Sequence, residues 1–92
     1  MGVKQVNQKT KTHARKGLET FEGRVQNTIP SSGIGWIECT KVNGEDSEDV
    51  LFFHENYTLA GTLPAVRAKV KGNISRTADP AKQDRAIDVE VV

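Results

Sequence analysis

The chain contains one cysteine, Cys39. A lone cysteine closes no internal disulfide and makes no multi-cysteine zinc site, which points to a reducing compartment such as the cytoplasm. The two histidines, His13 and His54, share no ligand spacing, so neither a metal nor any other cofactor is expected. No apolar run approaches the ~18 residues of a membrane helix, and residues 1–12 lack the apolar stretch of a secretory signal. A membrane is therefore not an expected partner. No paired acid and base, Gly-rich phosphate loop or nucleophile elbow is present, so the chain does not read as an enzyme. Aromatic residues are also scarce: three phenylalanines, one tyrosine and one tryptophan. Each must serve either a core or a site.

What the chain does have is an uneven charge distribution and a β-type pattern. The net charge is +1 over 92 residues. Lys4, Lys9, Lys11, Arg15 and Lys16 all lie in residues 1–17, which carry no acid, so the remainder is mildly acidic. Residues 1–17 read as a disordered basic tail, suited to neutralising phosphates or simply to staying solvated. Residues 18–92 read as one small domain with room for a single modest core.

Five segments of that domain carry strand signals: residues 21–26, 34–39, 49–54, 65–70 and 85–91. Pro30-Ser31-Ser32-Gly33 is a loop, and Asn43-Gly44 followed by Glu45-Asp46-Ser47 is a turn that should join the second and third strands as a hairpin. Residues 55–63 read as a loop or short helical turn, Pro64 opens the fourth strand, and residues 72–83 read as a long polar loop. Five short strands in so few residues predict an all-β, five-stranded antiparallel barrel of the OB type, because closure removes exposed strand edges.

The second and third strands hold Ser32-Gly33-Ile34-Gly35-Trp36-Ile37 and Leu51-Phe52-Phe53-His54. Residues two apart on a strand share a face, so Ile34 goes with Trp36 and Phe52 with His54. If the strands pair, these four form one exposed platform, with Gly33 and Gly35 expected to keep it low enough for a base to lie flat. Aromatic side chains stack on bases at roughly 1–3 kcal/mol each, and unstacked single strands offer base faces that duplexes hide. Trp36 is a stacking residue if it faces out and a core residue if it faces in; Ile37 supplies the alternate inward side chain. One of Phe52 and Phe53 must be core and the other surface. His54 either meets a base or bonds backbone at the strand end. Arg24, Lys69 and Lys71 are candidate phosphate contacts, whereas the acidic group Glu45, Asp46, Glu48 and Asp49 would repel phosphate.

The two motifs, in order and joined by a hairpin turn, resemble the paired RNA-binding motifs of the cold-shock domain family; Glu22-Gly23-Arg24-Val25 resembles that family's opening strand. The resemblance covers residues 21–92 and implies an OB-fold that binds single-stranded RNA or DNA through Trp36, Phe52 and His54. The chain departs from the pattern where Ser32 replaces a lysine, Ile34 an aromatic, Asn27 and Thr28 an aromatic pair, and Glu55 a further aromatic. It therefore resembles the non-standard cold-shock domains of RNA-binding translation regulators. A module that contacts other proteins or spaces its neighbours, its platform decayed, is the alternative expectation.

Overall fold

The computed structural model describes residues 18–79 and 81–92. The basic tail inferred for residues 1–17 lies outside them. Among the described residues six strands form one sheet: β1 (Glu19–Ile29), β2 (Ile34–Val42), the two-residue β3 (Glu45–Asp46), β4 (Val50–His54), β5 (Lys69–Ser75) and β6 (Arg85–Val91). A 3₁₀ turn, Glu55–Tyr57, follows β4 directly. The sheet runs β1-β5-β6-β4-β2-β3, and an additional β1–β2 pairing closes it into a five-stranded barrel with β3 appended to β2.

The sequence predicts an antiparallel barrel, but one neighbour pair is parallel. β4 and β6 meet in parallel at Phe52 and Arg85, and Thr58 bridges Val89 in the same sense. Parity requires this. Strand direction cannot alternate all the way around a ring with an odd number of members, so a closed five-stranded barrel needs at least one parallel neighbour pair.

The first, second, third and fifth expected strands match β1, β2, β4 and β6, although β1 continues past residue 26 to Ile29 through a register shift between Val25 and Asn27. The hairpin turn is present: Val42 pairs with Glu45, and Asn43 and Gly44 both take positive φ (54° and 83°), the backbone that a two-residue hairpin turn demands. The fourth strand differs. Residues 65–68 make a turn, with the Ala68 N–H donating to the Ala65 carbonyl at 3.0 Å and Arg67 at φ 76°. The strand starts only at Lys69 and runs through residues expected to be loop. Gly72 and Asn73 open the stretch expected as a polar loop. They instead form a bulge against β6, and Asn73 is fully buried, its amide donating to the Glu19 carbonyl at 3.4 Å.

The core is the inward face of every barrel strand: Phe21 and Val25 from β1, Ile37 and Cys39 from β2, Leu51 and Phe53 from β4, Val70 and Ile74 from β5, Ala86 and Val89 from β6. Fully burying each large side chain contributes about 1.5–3 kcal/mol. Burial also pushes the Cys39 thiol up to about 11, with the charge of Asp49 adding to the effect. The thiolate is therefore scarce at neutral pH. Cys39 should react with a disulfide reagent only after denaturant unfolds the barrel; rapid stoichiometric labelling of the native protein would contradict this placement.

One ion-pair network ties the strand ends. The Arg76 guanidinium donates to both Glu19 carboxylate oxygens, at 2.6 and 3.0 Å, and to Asp84 at 2.8 Å. Asn43 donates to Glu19 at 3.1 Å and accepts the Thr20 N–H at 3.0 Å. The start of β1, the hairpin turn, the end of β5 and the start of β6 are thus linked. The hydrogen bonds from Arg76 hold the Glu19 and Asp84 carboxyls below their usual range. Because the folded values lie below the unfolded ones, this stabilisation is complete above the ordinary carboxylate range, near pH 4. It is lost as pH falls through the depressed folded values. The groups are partly exposed and therefore screened, so Arg76→Gln should cost about 1 kcal/mol at pH 7 and shrink the loss of stability on acidification, as read by urea melts at pH 7 and below the ordinary carboxylate range.

Candidate nucleic-acid interface

β2 and β4 pair antiparallel with Ile34 opposite His54 and Trp36 opposite Phe52. Strand alternation sends Ile37, Leu51 and Phe53 inward, each no more than 1% exposed, and leaves Ile34, Trp36, Phe52 and His54 half-buried on the outer surface. All four platform candidates therefore stand together. The Trp36 and Phe52 rings meet edge to face, centroids 5.9 Å apart at 68°. In that geometry one ring offers a flat face while the other braces it.

His54 bonds backbone as well as facing outward. Its Nδ1 accepts the Asn56 N–H at 3.0 Å, capping the 3₁₀ turn. A neutral imidazole that accepts at Nδ1 carries its proton on Nε2, which leaves Nε2 as a donor for a base edge or a phosphate.

The two glycines have other reasons than a low platform. Gly35 faces inward, where a Cβ would stand 2.8 Å from the Phe53 ring and 2.9 Å from the Asn27 carbonyl. It lets β1 and the Phe53 ring approach. Gly33 takes φ 70°, and the Glu55 carboxylate packs against it, while the Glu55 N–H donates to the Gly33 carbonyl at 2.8 Å. That contact puts a negative charge at the end of the platform, beside Ile34 and His54.

Arg24, Lys69 and Lys71 form a second group, all exposed. Arg24 is the register partner of Lys69, and Glu22 that of Lys71. Arg24 also pairs across β1–β2 with Glu38, one outward position along β2 from Trp36. Diagonal neighbours of this kind lie about 7–8 Å apart, so Arg24 connects the platform to the lysines, with the acid of Glu38 between. Glu90 comes within 4.0 Å of Lys71, and Asp46 takes Lys41 at 2.9 Å. The acidic hairpin lies on this Arg24 side: Ser47 and Glu48 line one shallow surface with Arg24 and Glu38.

No protein-family model matches the chain, and a search of curated proteins found none similar to it. The site therefore rests on its own geometry.

Two residues join the site that the sequence did not single out. Arg85 is exposed and pairs with Phe52 on the side away from Trp36. Tyr57 projects from the 3₁₀ turn, 45% exposed. Nothing local marks Arg85, because its neighbour on β4 is set by the parallel closure; Tyr57 had only its residue type as a signal. Among the described residues no group of three or more His, Cys, Asp or Glu could hold a metal ion, and no helix is long and apolar enough to cross a membrane.

Proposed function

We propose that this barrel is of the OB type, similar to a cold-shock domain, and binds single-stranded nucleic acid, RNA first, by stacking bases on Trp36 and Phe52. The observation that carries the reading is the register of β2 on β4. It puts the only tryptophan beside a phenylalanine on the outer surface, although burying both would have enlarged a small core. Half-exposed aromatic rings paired on a sheet face are the feature that single-strand binders use. His54 Nε2 supplies a donor at the same face, and Arg24, Lys69 and Lys71 supply phosphate contacts whose strength falls with salt. The reading assigns no catalytic step to the barrel. A cytoplasmic setting fits the reduced, buried Cys39.

A specific observation favours a second reading, a protein-contact or spacer module. Glu38 and Glu55 flank the platform, and the edge-to-face rings offer one flat face rather than two. Titration of Trp36 fluorescence with short RNA and DNA oligomers separates the two. Quenching that persists at physiological salt and is lost in Phe52→Ala supports base stacking. No quenching, or binding that vanishes with salt or on deletion of residues 1–17, supports the second reading.

A further inference from the structure

The platform does not end at Phe52. Register partners continue around the barrel as one row: Asn27 on β1 opposite Trp36, Trp36 opposite Phe52, Phe52 opposite Arg85, and Arg85 opposite Ser75 on β5. Every member is exposed or half-buried, so the row is a continuous outer surface crossing all five barrel strands. Beyond Phe52 it opens into a groove of about 270 Å³ lined by Tyr57, Ser75, Arg85, Ile87 and Asp88. The volume is just under the roughly 300 Å³ at which drug-sized pockets begin, a size for one planar ring rather than a larger ligand.

We propose that this groove is a second base subsite, resting on the stacking function above, and that Arg85 holds the phosphate between the base on the platform and the base in the groove. The lining has the parts such a subsite needs. Tyr57 offers an aromatic wall with a polar tip, and Ile87 an apolar one. The Ser75 hydroxyl donates or accepts at a base edge. Asp88 completes the lining beside Ile87. Arg85 borders both the groove and Phe52, and the carboxylate beside it in the chain, Asp84, is engaged by Arg76 at 2.8 Å. A strand that reaches Trp36 from the Arg24 side continues over Phe52 toward β6 and leaves the acidic hairpin behind.

The test compares Tyr57→Ala and Arg85→Gln with the wild type against fluorescently labelled oligouridylates from trinucleotide to octanucleotide, reading anisotropy and Trp36 quenching together. Both side chains are exposed, and circular dichroism of the free variants checks the fold. The subsite predicts that wild-type affinity rises with length and that Tyr57→Ala removes about fivefold or more of it for the octanucleotide. The trinucleotide should bind and quench as before. Arg85→Gln should lower the slope of log affinity against log salt by about 0.7, the loss of one phosphate contact on a single strand. Wild-type behaviour of both variants at every length, with Trp36 still quenched, would leave the platform standing and overturn the subsite. Absence of Trp36 quenching by any oligomer in the wild type would overturn the stacking function and the subsite with it.

Discussion

Trp36→Ala should bind a labelled single-stranded octanucleotide about ten- to a hundredfold more weakly than the wild type while keeping a cooperative unfolding transition. Stacking on one aromatic ring contributes roughly 1–3 kcal/mol, and each 1.4 kcal/mol is a factor of ten. The loss should sit near the upper half of that range because Trp36 also braces the Phe52 ring at 5.9 Å. Its removal therefore loosens a second stacking group. The stability cost should be small, since the side chain lies outside the core and Ile37 fills the inward position. Anisotropy of the labelled oligomer reads affinity without relying on the fluorescence that the substitution removes, and urea melts read stability. Affinity that is unchanged in a folded variant would move the function away from the platform. Loss of the unfolding transition would show Trp36 to be structural.

Phe53→Ala should destabilise the barrel by about 3–5 kcal/mol. Phe53 is fully buried, packs in the core with Ile37 and Leu51, and lies within close reach of the Gly35 backbone. Neither β2 nor β4 can collapse into the vacated space without breaking the pairing that aligns Trp36 with Phe52. Small domains hold about 5–15 kcal/mol in total, so the variant should be near its limit at 37 °C. Phe52→Ala, one residue away, should cost less than half as much stability and abolish the quenching of Trp36 by oligomers. Circular dichroism melts of the two variants side by side check the contrast. Equal destabilisation would mean that the outward ring supports the fold as much as the inward one.

The adjacent phenylalanines also show how much of the site was legible in the chain. Period-two alternation is a local property of the backbone, so Trp36 and Ile37, or Phe52 and Phe53, had to face opposite ways once each segment was a strand. The Asn43-Gly44 turn was equally legible, because few other dipeptides accept two positive φ values in succession. The Arg67 turn was not. Nothing in the residues around Pro64 distinguishes a strand start from a turn that happens to alternate, and Gly72-Asn73 carries the same composition in a bulge as in a loop. Gly35 was read for the wrong neighbour: its constraint comes from the Asn27 carbonyl and the Phe53 ring, and only the paired strands bring those near.

The sequence by itself determined four of the five barrel strands, the alternation that divides core from surface, the hairpin turn, and hence the candidates Ile34, Trp36, Phe52 and His54. Tertiary structure alone decided which of them meet and what joins them. The β2–β4 register sets Trp36 on Phe52, the end of β1 approaches through Gly35, and the parallel β4–β6 contact places Arg85 beside the platform from more than thirty residues away in the chain. The reason is physical. Facing follows from the geometry of two neighbouring residues, whereas register and closure depend on the whole core packing at once, and an odd ring of strands must include a parallel seam that no local pattern announces.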